Sequence, residues 1–298
     1  MEPTDVGTAL AEGTRRLRAA DSPTARLDAE LLIAHVSGHD RGWVLAHPEA
    51  SLGADAAADL ASALDRRAAG EPIAYIRGFK EWHSLRIRTD RRALIPRPET
   101  ELLADATVAE IGGRLAGHAA PVVVWEIGTG SGAVALALAL RFRSALEHGR
   151  ARLTATDASP EALDLAAENL AAHGGDGLVT LAVADLLEPA GRSLPRPDVV
   201  VANLPYVPSA EVDARHGSLG YEPRIGVDGG ADGLRLLRRL LADVPQRAAV
   251  GATVLLEIGV GQATEVAALA PASALVSVVP DLAGLDRVLR LDLRPPVA

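Results

Sequence analysis

The chain has 298 residues, and 30 Lys and Arg against 39 Asp and Glu give a net charge of −9, so broad electrostatic attraction to nucleic acid or to anionic lipid is not expected. Hydrophobic residues at 48% and charged residues at 23% describe a folded protein; the longest purely apolar run, Ala133 to Leu140, is too short to span a bilayer, and the acidic start Met1-Glu2-Pro3-Thr4-Asp5 does not read as a signal peptide, which points to the cytoplasm. The absence of cysteine excludes disulfides, thiolate metal sites and cysteine nucleophiles.

The first stretch reads as helices. Val6 to Ala20 comes first, and Ser22-Pro23 then opens Ala25 to Val36, with Leu27, Leu31 and Leu32 on one face and Gly38 as the stop. A third helix runs from Ala54 to Ala69 and ends at Gly70. Beyond it, Pro72 to Ile76 and Ser84 to Arg88 alternate like the strands of a small hairpin. The expected organisation is a helical N-terminal domain over residues 1–71, a β-hairpin linker over 72–93 and a larger domain over 94–298.

From Pro121 onward, short β-branched runs alternate with helical segments. The runs are Val122 to Ile127, Ala151 to Thr156, Leu178 to Val183, Asp198 to Ala202, Thr253 to Glu257, Leu275 to Val279 and Asp286 to Asp292; Pro160 to Ala172 and Leu234 to Leu241 read as helices between them. The pattern is that of an α/β, doubly wound, Rossmann-like sheet of seven strands. The link Asp281-Leu282-Ala283-Gly284 is too short for a helical crossover, so the last two runs are expected to pair antiparallel at the sheet's edge.

Trp125-Glu126-Ile127-Gly128-Thr129-Gly130-Ser131-Gly132-Ala133 joins the first of these strands to a helix, where glycines permit a tight turn and close approach of a ligand to the backbone. Gly128-x-Gly130-x-x-Ala133 suits either a nicotinamide dinucleotide or S-adenosylmethionine. Asp157 closes the second strand, placed to accept both ribose hydroxyl protons, and Asp185 after the third is placed to receive an adenine amino group.

The fourth strand runs directly into Asn203-Leu204-Pro205-Tyr206. Methylating a planar nitrogen is difficult because its lone pair is delocalised. An Asn side-chain oxygen and the next backbone carbonyl can accept both N–H hydrogens, orient the nitrogen and stabilise the charge that develops on it. Tyr206 can stack on the planar group and exclude water.

With these segments the sequence resembles the class I S-adenosylmethionine-dependent methyltransferases, and among them the HemK-type (PrmC-type) peptide chain release factor glutamine methyltransferases. The resemblance also rests on Arg26-Leu27-Asp28-Ala29-Glu30-Leu31-Leu32, Gly70-Glu71-Pro72-Ile73-Ala74-Tyr75-Ile76, Leu94-Ile95-Pro96-Arg97-Pro98-Glu99-Thr100-Glu101, Tyr221-Glu222-Pro223, Gly229-Gly230-Ala231-Asp232-Gly233, Leu256-Glu257-Ile258-Gly259 and Asp281 to Arg287, in family order. It implies S-adenosyl-L-methionine as cofactor. It also implies transfer of a methyl group to the side-chain amide nitrogen (N5) of the glutamine in the Gly-Gly-Gln motif of class 1 release factors, and hence a role in translation termination.

Carried over residue by residue, Gly128, Thr129, Gly130, Ser131 and Gly132 would hold the amino-acid end of the cofactor, Asp157 its ribose, and Asp185 and Leu186 its adenine region. Asn203, Leu204, Pro205 and Tyr206 would be catalytic and hold the glutamine, with Asn203 also near the methyl donor and Arg97 and Glu99 close by. The helical domain would recognise substrate.

The family tetrapeptide normally carries two prolines. Leu204 stands in place of the first; it still supplies a carbonyl but not a fixed φ. Asn-Leu-Pro-Tyr also resembles the motif of ribosomal RNA adenine N6-methyltransferases, the alternative function, against which stand the net charge, the helical domain and Arg97-Pro98-Glu99. A nicotinamide oxidoreductase and a non-catalytic binding protein are the other readings. The expected partner is a release factor, with no direct nucleic acid and no membrane, and the expected state is a monomer. No metal is expected: His35 and His39 have i, i+4 spacing but Gly38 intervenes and no third ligand is apparent, and the aspartates around Gly229-Gly230 miss a calcium loop's spacing.

Overall fold

In a computed structural model of the chain, residues 4–117, 120–189, 194–214 and 220–294 are described. They divide into two compact units, residues 4–79 with 220–221, and residues 80–214 with 222–294, so packing changes over between Phe79 and Lys80. Among the described residues no helix is long and apolar enough to cross a membrane.

In the first unit β1 (Thr4–Asp5) leads into α1 (Val6–Ala19), followed by α2 (Ala25–Ser37), α3 (Arg41–Ala46), β2 (Ser51–Leu52), α4 (Ala54–Ala68) and α5 (Ile73–Arg77). Asp5 starts α1 by accepting the Thr8 N–H at 2.6 Å, and Gly38, at φ 72°, ends α2 as expected. Two expectations fail here. The buried face of α2 is Ala25, Asp28, Ala29, Leu32 and Ile33, and Leu27 is exposed, because Asp28 and Glu30 are drawn inside by arginines. Asp28 receives Ser22, Thr24 and Arg67; Glu30 receives Arg26 and Arg41. Buried carboxylates supplied with this many donors hold α2 to its neighbours instead of costing stability. Pro72 to Ile76, expected as a strand, enters a helix because Gly78 at φ 76° provides a left-handed stop after a single turn.

The hairpin β3 (Phe79–Trp82) and β4 (Leu85–Arg88), all but Phe79 in the second unit, follows, so the expected hairpin exists but begins later than Pro72. Then follow α6 (Thr100–Gly117), β5 (Val122–Ile127), α7 (Ala133–Arg141), α8 (Arg143–Glu147), β6 (Ala151–Asp157), α9 (Pro160–Ala172), β7 (Val179–Asp185) and β8 (Glu188–Pro189). The chain continues through β9 (Val199–Ala202), β10 (Val207–Pro208), α10 (Ser209–Asp213), β11 (Asp228–Gly230), α11 (Arg235–Arg247), β12 (Thr253–Glu257), α12 (Ala263–Ala268), β13 (Ala274–Pro280) and β14 (Asp286–Leu293).

The main sheet has the order β13-β14-β12-β9-β5-β6-β7, with the two-residue β8 added antiparallel beside β7. β12, β9, β5, β6 and β7 are parallel, whereas β14 runs antiparallel to both β12 and β13 and lies between them. The strand period of two splits the core cleanly. Val200, Ala202, Val254 and Leu256 face a cluster with α11 residues Leu237, Leu240, Leu241 and Val244. Val199, Val201 and Leu255 face the other layer with Leu103 of α6 and Leu136 of α7. β6 and β7, which follow β5 in sequence, lie to one side of it, and β9 lies to the other. The chain therefore reverses its direction of travel at β5 and β9, where a crevice opens beyond the strands' carboxyl ends.

Candidate functional site

The loop after β5 is a row of left-handed turns, with Gly128 at φ 72°, Gly130 at 54° and Gly132 at 78°. The Gly128 and Thr129 N–H groups both donate to the Thr156 carbonyl, at 2.8 and 2.9 Å, which pins the loop to the end of β6. A Cβ on Gly132 would lie 2.8 Å from the Ala166 Cβ, so no other residue lets α7 approach α9 this closely. Asn169 of α9 completes the frame by donating to the Ser131 carbonyl at 2.8 Å.

Two carboxylates lie under this loop. Asp157 accepts the Gly130 N–H and the Ser159 N–H, both at 2.9 Å; burial raises its carboxyl above the ordinary range, and those donors work the other way. Glu126 is fully enclosed, receives the Thr129 hydroxyl at 2.8 Å, and is pushed up to about 8 by burial, with the nearby Asp157 charge adding to the rise.

Beyond β9, Asn203 to Tyr206 rest on backbone from three directions. A Cβ on Gly229 would lie 2.7 Å from the Pro205 carbonyl oxygen, and one on Gly233 2.3 Å from that of Tyr206. Gln262 donates to the Tyr206 carbonyl at 3.0 Å and accepts from the Gly259 N–H at 2.9 Å. The glycines around Ala231 and after Ile258 are thus a seat for the tetrapeptide. Asn203 Nδ2 donates to the Thr100 hydroxyl at 3.0 Å, and the Tyr206 hydroxyl reaches Glu257 at 3.4 Å. Burial, reinforced by the Glu257 charge, pushes the Tyr206 phenol up to about 12.

These segments enclose a cavity of about 510 Å³. Of the residues expected at the site, Gly128, Thr129, Gly130, Ser131, Asp157, Asp185, Leu186, Asn203, Leu204, Pro205 and Arg97 all line it. Gly132 lies just outside, at the head of α7. Tyr206 and Glu99 are not among the lining residues: Tyr206 turns towards Glu257, and Glu99 is exposed. Arg97 is anchored by the buried Glu222, at 2.5 Å, whose other oxygen takes the Ile95 N–H. Asp185 pairs with Arg239 across the cavity mouth at 2.8 Å.

Glu126, Thr100, Glu257 and Gln262 were not singled out from the sequence. Glu126 does stand two residues before Gly128, and Thr100 and Glu257 lie inside segments that carried the resemblance.

The fold and the glycine loop at its reversal point define a class I, Rossmann-like methyltransferase. The catalytic domain of hMettl16, solved with the MAT2A 3′UTR hairpin 1, shares the fold at a TM-score of 0.50 and 13% identity, with 82% of each chain covered. Residues 8–78 match the PrmC N-terminal domain family. The chain is 37% identical over 282 residues to the release factor glutamine methyltransferase of Deinococcus radiodurans, covering 94% of this chain and 96% of that one. It is 38% identical over 284 residues to that of Moorella thermoacetica, covering 94% and 95%. The protein belongs to the release factor glutamine methyltransferase family.

Proposed function

We propose that the protein transfers the methyl group of S-adenosyl-L-methionine to the side-chain amide nitrogen of the Gly-Gly-Gln glutamine of class 1 release factors. The observation that carries this reading is the arrangement of Asn203 and Leu204 on the wall of the same cavity as the glycine loop, in a chain more than one third identical to relatives bearing that name over nearly its whole length.

The cavity suits the cofactor. The left-handed glycines leave the backbone bare where a Cβ would fill the space, and Gly132, the N-cap of α7, sets the positive end of that helix beside them. Gly128 to Gly132 would hold the amino-acid end, Asp157 the ribose, and Asp185 with Leu186 the adenine, Asp185 exchanging part of its contact with Arg239. When bound, S-adenosylmethionine supplies an electrophilic methyl group on a sulfonium.

The protein's own work is to make a poor nucleophile attack. Asn203 Oδ1 and the Leu204 carbonyl accept the two amide hydrogens, which aligns the nitrogen and favours the positive charge it gains. The proton then leaves a strongly acidic cationic amide without a dedicated base. Pro205 stiffens the loop, and Tyr206, tied to Glu257, holds its far end; Arg97, fixed by Glu222, borders the entrance. Residues 1–71 would recognise the factor and residues 94–298 would perform transfer, with 72–93 joining them.

The reading is tested by incubating the protein with S-adenosylmethionine and purified release factor and mapping the modification by peptide mass spectrometry. A single methyl group on the Gly-Gly-Gln glutamine is expected. An unmodified glutamine, with the enzyme folded and cofactor bound, refutes it.

A further inference from the structure

One face of α9 carries Ala162, Leu165, Ala166 and Asn169, spaced i, i+3, i+4 and i+7, and two different stretches of the cavity wall rest on it. The first is the glycine loop, held by the close approach of Gly132 to Ala166 and by the Asn169 amide, which donates to the Ser131 carbonyl at 2.8 Å. The second is the segment between β4 and α6, whose residues Arg92 to Arg97 line the same cavity. Ala93 packs with Ala162 and Leu165, and a Cβ on Gly130 would lie 3.8 Å from that of Ala93, so this segment lies against the glycine loop.

Asn169 joins the two. Arg88, at the end of β4, donates its N–H to Asn169 Oδ1 at 2.7 Å and takes one Nδ2 hydrogen on its carbonyl at 3.1 Å, as it would with a neighbouring strand; the other Nδ2 hydrogen goes to Ser131. A backbone N–H only donates and a carbonyl only accepts, so these three bonds fix the orientation of the amide and use both its donors and its oxygen. Asn169 is 1% exposed, so a shift of either stretch of wall leaves a buried polar group unpaired. A second tether lies one residue earlier, where Glu168 takes Arg92 Nη1 at 2.8 Å and Nη2 at 3.0 Å.

We propose that α9 couples the two sides of the site, with Asn169 as the positioning residue: cofactor on the glycine loop fixes the Ser131 carbonyl, Asn169 passes that constraint to Arg88, and the segment from Arg92 to Arg97 is thereby set to receive the release factor. This rests on the functional reading above, in which the loop takes the cofactor and Arg97 borders the entrance for the glutamine. The consequence is linked affinity. Cofactor tightens binding of the factor, and by reciprocity the factor tightens binding of the cofactor by the same ratio. A residue that only packs the loop would, when removed, weaken cofactor binding and leave that ratio unchanged.

The test uses the full chain, S-adenosylhomocysteine and purified release factor. The Kd for the factor is measured by calorimetry without and with saturating S-adenosylhomocysteine, and the ratio of the two is compared among wild type, Asn169→Ala, Arg92→Met and Asp157→Asn. Wild type is expected to bind the factor about 5-fold or more tightly when S-adenosylhomocysteine is bound. In Asn169→Ala the ratio should fall to within about twofold of unity. Arg92→Met, which cuts only the second tether, should lower it part of the way. Asp157→Asn should raise the Kd for S-adenosylhomocysteine yet keep the wild-type ratio once the site is saturated, because it leaves Asn169 and its partners in place.

A wild-type ratio of one overturns the proposal, and so does the wild-type ratio in Asn169→Ala, which would leave Asn169 a packing residue. Should Asn169→Ala not accumulate as folded protein, Arg92→Met decides, and an unchanged ratio there overturns the proposal. Wild type that does not methylate the factor refutes the functional reading and this proposal with it; wild type that methylates it with a ratio of one refutes this proposal alone.

Discussion

Glu126→Gln isolates the cost of keeping a carboxyl under the cofactor loop. Glu126 is fully buried, with the Thr129 hydroxyl at 2.8 Å and the Asp157 carboxylate nearby, and its proton is held up to about 8 against an ordinary value of 4.5. The folded state therefore binds this proton more tightly than the unfolded state does. Stability must fall as pH rises from the unfolded value to the folded one, and level off above it. The span from 4.5 to about 8, at roughly 1.4 kcal/mol per unit, sets a ceiling on the order of 5 kcal/mol. A Gln matches the protonated carboxyl in shape and still accepts from Thr129, but does not titrate. Urea denaturation of both proteins from pH 4.5 to 8.5 reads the difference directly, because other titrating groups cancel. The Gln variant should match wild type at the acid end and gain on it steadily, by several kcal/mol at pH 8. Parallel stability curves would refute the reasoning.

Three further outcomes follow from the site. Asn203→Ala should keep cofactor binding, measured by calorimetry, while turnover drops about 100-fold or more, the effect of losing one transition-state hydrogen-bond partner. Gly132→Ala should destabilise by about 2–5 kcal/mol, summing left-handed strain with overpacking, since φ is 78° and the new Cβ would sit 2.8 Å from that of Ala166; urea midpoints and cofactor affinity should fall together. Arg97→Met strands the Glu222 carboxylate, 1% exposed, and should cost about 3 kcal/mol in urea denaturation. Most of that should return in Arg97→Met/Glu222→Gln.

What was legible in the sequence is what depends on neighbours along the chain. β5 and β12 carry the apolar runs Val122 to Trp125 and Val254 to Leu256, and α9 announces itself by Ser159 as cap and Pro160 in the first turn, so their limits agree closely with the structure. α6 is not evident from the sequence because three of the five residues on its buried face, Thr100, Leu103, Ala104, Thr107 and Ile111, are threonine or alanine, and Gly112-Gly113 mimic a break. Leu234 to Leu241 extends to Arg247 because Pro245 near the end of α11 removes little from a helix already terminating. At the site, the glycine loop and the tetrapeptide are contiguous segments at strand ends and could be read directly. Thr100, 103 positions before Asn203, and Glu257, 51 after Tyr206, become neighbours only through the strand order that sets β12 beside β9. No local pattern encodes such contacts.

The central claim is that the nitrogen methylated belongs to a protein glutamine. It is tested most directly by methyl transfer from labelled S-adenosylmethionine to purified class 1 release factor and, in parallel, to unmethylated small-subunit ribosomal RNA, with a factor whose Gly-Gly-Gln is changed to Gly-Gly-Ala as control. The account predicts label on the factor that disappears in the control, with none on RNA. Label on RNA alone would contradict it and assign Asn203-Leu204-Pro205-Tyr206 to adenine.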